Sequence, residues 1–234
     1  MSDPQAGWGA MVLRRLELTG DEVVLDAGCG TGRVTERLLE QLPNGRIVAL
    51  DRSPAMAALA RRRLPADRVS VVVADLAAPL PVRDGSLDAI VSTATFHWVP
   101  DHAELFGRLA RALRPGGQLV AQCGGAGNLA SVTRVVAAIG HGWTGSRTYA
   151  TPEETVPRLA AAGFVGIRCW LNAETTTFES REALAAFLRT VVLWPHLERL
   201  PPGEHDRFVD LVVDRVPGRV LDYVRLNILA RRRP

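Results

Sequence analysis

Along the first half of the chain, short runs of consecutive apolar residues alternate with stretches in which apolar positions recur every three or four residues. Continuous apolar runs mark strands buried on both faces, and the longer period marks amphipathic helices. Val23–Asp26, Arg46–Asp51, Val69–Asp75, the segment LDAIVSTAT (87–95) and Gly117–Cys123 read as five strands. Helices are expected at Arg33–Gln41, from Pro54 through Arg63, and from about Asp101 to Leu113, where Arg114-Pro115-Gly116-Gly117 is a stop signal. Right-handed crossovers between such strands give a doubly wound, mostly parallel α/β sheet.

The second half is less regular. Helical patterns near 128–139 and 153–162 flank the loop HGWTGSRTYATPEE, and a strand is expected around 165–172. Two more helical patterns, about 180–193 and 204–215, precede a last strand, VLDYVRLNIL. With 234 residues and no internal repeat or low-complexity linker, the chain reads as a single domain.

The stretch VVLDAGCGTGRVTERLL, Val23–Leu39, carries the first chemical signal. Glycines at 28, 30 and 32 let a backbone approach a ligand, and the helix that follows presents free N–H groups. A dinucleotide turn places a third glycine where Arg33 stands, which argues against a nicotinamide cofactor. Asp51 closes the second strand, 23 residues after Gly28, where a carboxylate accepts from ribose hydroxyls. Asp75 closes the third strand, at the expected edge of an adenine.

Composition narrows the chemistry. All 28 basic residues are arginine, so Schiff-base catalysis, a Walker lysine and a Tyr-x-x-x-Lys pair are excluded. A net charge of +3 without an aromatic-rich basic stripe gives no footprint for nucleic acid. No apolar run reaches the ~18 residues of a membrane span, and no signal-peptide pattern opens the chain, so a cytoplasmic protein is expected. Cys29, Cys123 and Cys169 show neither metal-ligand nor disulfide spacing and read as structural thiols, with no metal expected.

D-A-G-C-G-T-G, the strand-end Asp51, V-x-A-D-L at 72–76 and L-R-P-G-G at 113–117 resemble a class I S-adenosylmethionine-dependent methyltransferase. A-T-F-H-W-V-P-D-H at 94–102 and the closing Y-V-R-L-N-I-L-A-R-R are similar to the trans-aconitate methyltransferase-like subgroup. The resemblance implies a Rossmann-like fold of seven strands, an antiparallel last strand and a helical insertion before it. Residues 20–125 would form the cofactor-binding core, with 126–164 and 175–217 on the substrate side. S-adenosyl-L-methionine would be bound and S-adenosyl-L-homocysteine released. Asp26, Gly28, Cys29 and Gly30 would hold its methionine end, Asp51 and Arg52 the ribose, and Asp75 and Leu76 the adenine. Thr93 and Ala94 would contact the aminocarboxylate.

For the acceptor, the resemblance points to a small molecule, with methyl-ester formation on a carboxylic acid the leading expectation. Methylation of an oxygen or carbon on a natural-product or carrier-bound acyl group stays open, as does a cofactor-binding but inactive homologue, and as does a monomer or a homodimer. His97 is the one histidine well placed after the fourth strand, to act as base, to donate a hydrogen bond to substrate, or to brace Trp98. Acidic groups call for arginine, which forks onto carboxylates. Arg147 with Tyr149, and Arg225 with Tyr223 on one face of the last strand, are the candidates, with Trp8 as cover. His102, His141, His196 and His205 read as surface or helix-end residues, and Trp143, Trp170 and Trp194 as core or lid packing.

Overall fold

A computed structural model describes residues 4–139 and 147–234; His141 and Trp143 lie outside the described residues. The strands are β1 (Val23–Ala27), β2 (Arg46–Asp51), β3 (Val69–Val73), β4 (Leu87–Thr93), β5 (Leu113–Gly124), β6 (Phe164–Thr177) and β7 (Val220–Arg232). They form one seven-stranded sheet in the order β3-β2-β1-β4-β5-β7-β6. β1 through β5 pair in parallel, and β7 runs antiparallel to both β5 and β6. Strand order reverses between β1 and β4, the crevice at which doubly wound sheets bind ligands.

The helices are α1 (Pro4–Leu13), α2 (Arg33–Glu40), α3 (Pro54–Arg63), α4 (His102–Ala112), α5 (Ala130–Ile139), α6 (Pro152–Ala161), α7 (Arg181–Phe187), α8 (Trp194–Leu197) and α9 (His205–Val213). Local chemistry sets their starts. Ser53 caps α3 by accepting from the Met56 amide ahead of Pro54, and Thr151 with Glu154 forms a capping box on α6. One sheet face packs Leu25, Ile90 and Leu119 against Phe106 and Leu109 of α4 and Leu159 of α6. The opposite face packs Val24, Val91 and Val120 against Val12, Leu13 and Leu38. A third cluster joins Leu184, Leu188, Leu193 and Val212 to Trp8 and Tyr223, roofing the crevice.

Several boundaries differ from the sequence expectation, each for a physical reason. β3 stops at Val73, leaving Asp75 beyond the strand, and β4 stops at Thr93 because Ala94 turns to φ 55°. The predicted stop at 114–117 belongs to β5: Leu113 pairs with Leu87, and the register shifts before Ala89 pairs with Gln118. Gly116, at φ 76°, supplies the bend, as in a bulge. β6 reaches Thr177 because it pairs along almost the whole of β7. The helical pattern at 180–193 breaks into a π turn, Leu188–Val192, before the short α8. α1, for which the sequence pattern made no case, packs through Val12 and Leu13 against the sheet. The fold is otherwise the Rossmann-like one expected, with the helical insertion between β6 and β7.

Candidate active site

A cavity of about 1030 Å³ opens beyond the carboxyl ends of β1, β2 and β4. Gly28, Cys29 and Gly30 form one wall, and Asp51, Arg52, Asp75 and Leu76 a second. Thr93 and Ala94 close the side next to β4, under Trp8, Trp98, Val191 and Trp194.

The glycine turn is held from behind. The amides of Gly28 and Cys29 both donate to the Leu50 carbonyl, at 2.8 and 2.9 Å. A Cβ on Gly28 would lie 2.1 Å from the Thr95 hydroxyl, at a φ of +90° that L side chains rarely adopt. Asp51 fixes the far side: Oδ2 accepts the Gly30 amide at 2.8 Å and Oδ1 the Ser53 amide at 2.9 Å. Each oxygen keeps lone pairs for a donor from the cavity. Asp75 is exposed at the rim and takes the Ala77 amide on Oδ1 at 2.9 Å.

Asp26 differs from the sequence expectation. It lies behind the turn, fully buried, and not on the cavity wall. The Thr35 hydroxyl donates to Oδ2 at 2.6 Å, while Oδ1 is buried without a partner. Burial lifts its pKa to about 6; the Thr35 bond opposes the rise and the Asp51 charge adds to it. Burial likewise pushes the Cys29 thiol up, helped by the Asp26 and Asp51 charges, so Cys29 is a neutral packing group. An orphaned carboxylate oxygen, a turn with no room for a side chain and the Asp51 carboxylate together fit a cofactor with a cationic end and a ribose.

The five other acceptor-side candidates do not line this cavity. Arg225, His97, Tyr149, Arg147 and Tyr223 gather directly behind Trp8 and Trp98. The alternation of β7 puts Tyr223, Arg225 and Asn227 on the sheet face that α1 covers. Arg225 lies under Trp8, its Cζ 4.1 Å from the indole centroid, and the Tyr223 ring meets the same indole edge-on at 4.9 Å. Arg147 stacks over Trp98 at 4.4 Å and donates to the Val192 carbonyl; Arg52 approaches the same ring at 5.9 Å. His97 stacks on Tyr149 at 5.8 Å and leans on Trp98 at 5.2 Å.

Charge in this cluster is unbalanced. Arg225 is 2% exposed, and its Nε and Nη2 have no hydrogen-bond partner. Neither Arg147 nor Arg225 forms an ion pair with a described carboxylate. Glu174, which accepts the Trp8 indole N–H, acts on Arg225 only at longer range. Burial lowers the pKa of both arginines, although they stay cationic at any working pH, and burial raises that of the Tyr223 phenol. Two buried cations therefore stand here without a counter-charge among the described carboxylates, an arrangement that costs free energy until one is supplied.

Val191 and Gly124 reach the site with no local signal in the sequence: Val191 roofs the cavity from the π turn and Gly124 faces His97, each brought in by an element far along the chain. Trp194 roofs the cavity from α8, in keeping with the core or lid packing expected of it, and Thr95, within the A-T-F-H-W-V-P-D-H stretch, braces Gly28. His102 stands at a helix end, as expected, but is buried there: it opens α4 and donates from Nε2 to the Phe96 carbonyl at 3.0 Å, and His196 is buried in the short α8. His205 caps a turn through Leu200, Cys169 is half-buried, and Trp170 lies under Arg15. Among the described residues no group of three or more His, Cys, Asp or Glu side chains is placed to hold a metal, and no helix is long and apolar enough to cross a membrane.

Residues 25–121 match the methyltransferase domain family. The chain is 32% identical to a trans-aconitate 2-methyltransferase of Methylobacterium radiotolerans, over 95% of this chain and 92% of that one. It is 33% identical to one of Variovorax paradoxus, over 95% and 91%. In structure it is similar to the YcgJ protein of Bacillus subtilis, with a TM-score of 0.69 at 15% identity over 97% of this chain and 99% of that one.

Proposed function

The chain belongs to the class I S-adenosylmethionine-dependent methyltransferases, and from that premise we propose that it esterifies a carboxylate of a small organic acid of the trans-aconitate type. The observation that carries this reading is Arg225, buried, cationic and lacking a carboxylate of its own. The names of the similar methyltransferases favour the same acceptor class.

Asp51 holds the ribose hydroxyls with lone pairs left over from the Gly30 and Ser53 amides, and Arg52 lies beside it. Asp75 and Leu76 border the adenine, and the glycine turn with Thr93 and Ala94 receives the methionine end. Asp26 acts through the turn, as the buried negative charge behind it. S-adenosylmethionine, when bound, supplies a methyl carbon on a cationic sulfur, so that a carboxylate oxygen yields a methyl ester and a neutral thioether with no proton to remove. The chain's task is then positioning and exclusion of water. Arg225 and Arg147 receive the acid, and Trp8, Trp98 and Trp194 close over it. No metal takes part in this reading.

The experiment is mass spectrometry of trans-aconitate and a panel of small carboxylic acids after incubation with the protein and S-adenosylmethionine. A product heavier by one methyl group, and labile to mild base as an ester is, supports the proposal. Methylation of no acid, with S-adenosylhomocysteine still binding, overturns it in favour of another acceptor or of a protein that binds without turnover.

A further inference from the structure

His97 occupies the 3-10 turn Phe96–Trp98 that follows β4, and it is held at both its main chain and its ring. Its carbonyl accepts the Thr148 amide at 2.8 Å, and its Nδ1 accepts the Gly124 amide at 3.2 Å. A backbone N–H has only a proton to offer, so Nδ1 is the lone-pair nitrogen and Nε2 carries the ring proton. Gly124 is fixed by its pairing with Arg225 between β5 and β7, and no side chain fits there: a Cβ would lie 2.7 Å from Tyr149 Cε1, the ring that stacks on His97. Nε2 donates to no described residue.

We propose that His97 is a neutral hydrogen-bond donor to the acceptor, presenting Nε2–H to one oxygen of a carboxylate whose charge Arg225 balances, and that it takes up no proton during methyl transfer. This deepens the carboxylate reading and rests on it for the identity of the oxygen, but not for the tautomer.

The surroundings of the ring support neutrality. Arg225 acts on it from β7 with Tyr223 beside that arginine, Arg147 and Tyr149 from the loop before α6, His102 from α4, and Cys123 lies next to it on β5. No carboxylate is among these groups. Burial, followed by the Arg225 and Arg147 charges and His102, holds the imidazole well below its ordinary pKa. A third cation would be expensive here, and a neutral donor adds direction without charge. The consequence is selectivity for acceptors that arrive already ionised. An alcohol or phenol would need a base, and this imidazole is not arranged to be one.

The test uses two variants and one spectrum. His97→Gln places an amide nitrogen near Nε2, whereas His97→Asn places an amide oxygen near Nδ1, keeping the Gly124 bond and losing the Nε2 donor. On an acid the enzyme methylates, His97→Gln should keep kcat/KM within about tenfold and His97→Asn should lose about a hundredfold, mostly in KM. Both should bind S-adenosylhomocysteine as the parent does. Nitrogen NMR of the unliganded protein should show a neutral imidazole protonated at Nε2 at pH 7. A spectrum with the proton on Nδ1, or with both nitrogens protonated, overturns the proposal alone. So does a kcat/KM inflection between about pH 6 and 8 that is present in the parent and absent from His97→Gln. Failure of every acid to be methylated overturns instead the reading on which it rests.

Discussion

Arg225 lies directly beneath Trp8, guanidinium on indole at 4.1 Å, joining the last strand to the first helix. The indole covers the cation without neutralising it, since a cation–π contact offers an exposed pair about 0.5–1 kcal/mol and a desolvated one about 2. The carboxylate of an acceptor would supply the charge that is missing.

Arg225→Met is therefore expected to separate function from stability. Removing the charged partner of a buried ligand carboxylate costs about 2–5 kcal/mol, so kcat/KM for the acid should fall at least about thirtyfold, with S-adenosylhomocysteine affinity little changed. Replacing an uncompensated buried cation by an apolar side chain of similar length should leave the unliganded protein at least as stable. A melting temperature several degrees lower, checked by calorimetry, would mark Arg225 as structural instead.

Asp51→Ala should weaken cofactor binding severely. The variant loses a charged acceptor for the ribose and also unpins the Gly30 and Ser53 amides. At about 1.5–3 kcal/mol for a charged hydrogen bond, the loss in affinity is at least about tenfold, readable by titration calorimetry. Unchanged affinity would remove the ribose assignment.

Asp26 should make the unliganded protein less stable as pH rises from 4 to 6. Its folded pKa, about 6, lies above the ordinary 3.8, so the folded state binds the proton more tightly. The penalty is absent below the unfolded pKa, grows between the two values, and is complete above the folded one, on the order of 3 kcal/mol. Glu22, held down at about 2 by the Thr19 and Gly20 hydrogen bonds against its burial, contributes in the opposite sense as pH falls below its ordinary 4.5. The measurement is therefore a difference: urea unfolding of Asp26→Asn against the parent, equal near pH 4 and favouring the variant at pH 7. A parent more stable than the variant at pH 7 would contradict the burial argument.

Gly28→Ala should be more damaging than an ordinary glycine substitution. The added Cβ meets Thr95 at 2.1 Å, and the left-handed φ of +90° resists any L side chain. Cofactor affinity should fall below detection, whereas Gly30→Ala, where a Cβ meets nothing within 4 Å, carries only the backbone strain of φ +55° and should retain part of it. Equal loss in both would point to strain alone rather than to the Thr95 contact.

The sequence by itself determined the alternating strands and helices, the glycine turn and the placement of Asp51, because periodicity and turn chemistry are local properties of the chain. It also determined that Tyr223 and Arg225 share a face, since side chains alternate along any strand. The tertiary structure alone decided that this face looks under Trp8, because that depends on α1 folding across the sheet through Val12 and Leu13. It decided likewise that the 114–117 stop signal joins β5 and that the roof is built from the π turn and α8, both consequences of long-range pairing and packing. Asp26 and His97 make the same point in opposite directions. Both were named from the sequence, but Asp26 is withdrawn behind the turn it was expected to serve. His97 has its proton assigned by the Gly124 amide, which lies 27 residues away along the chain and reaches it only because β5 pairs beside β4.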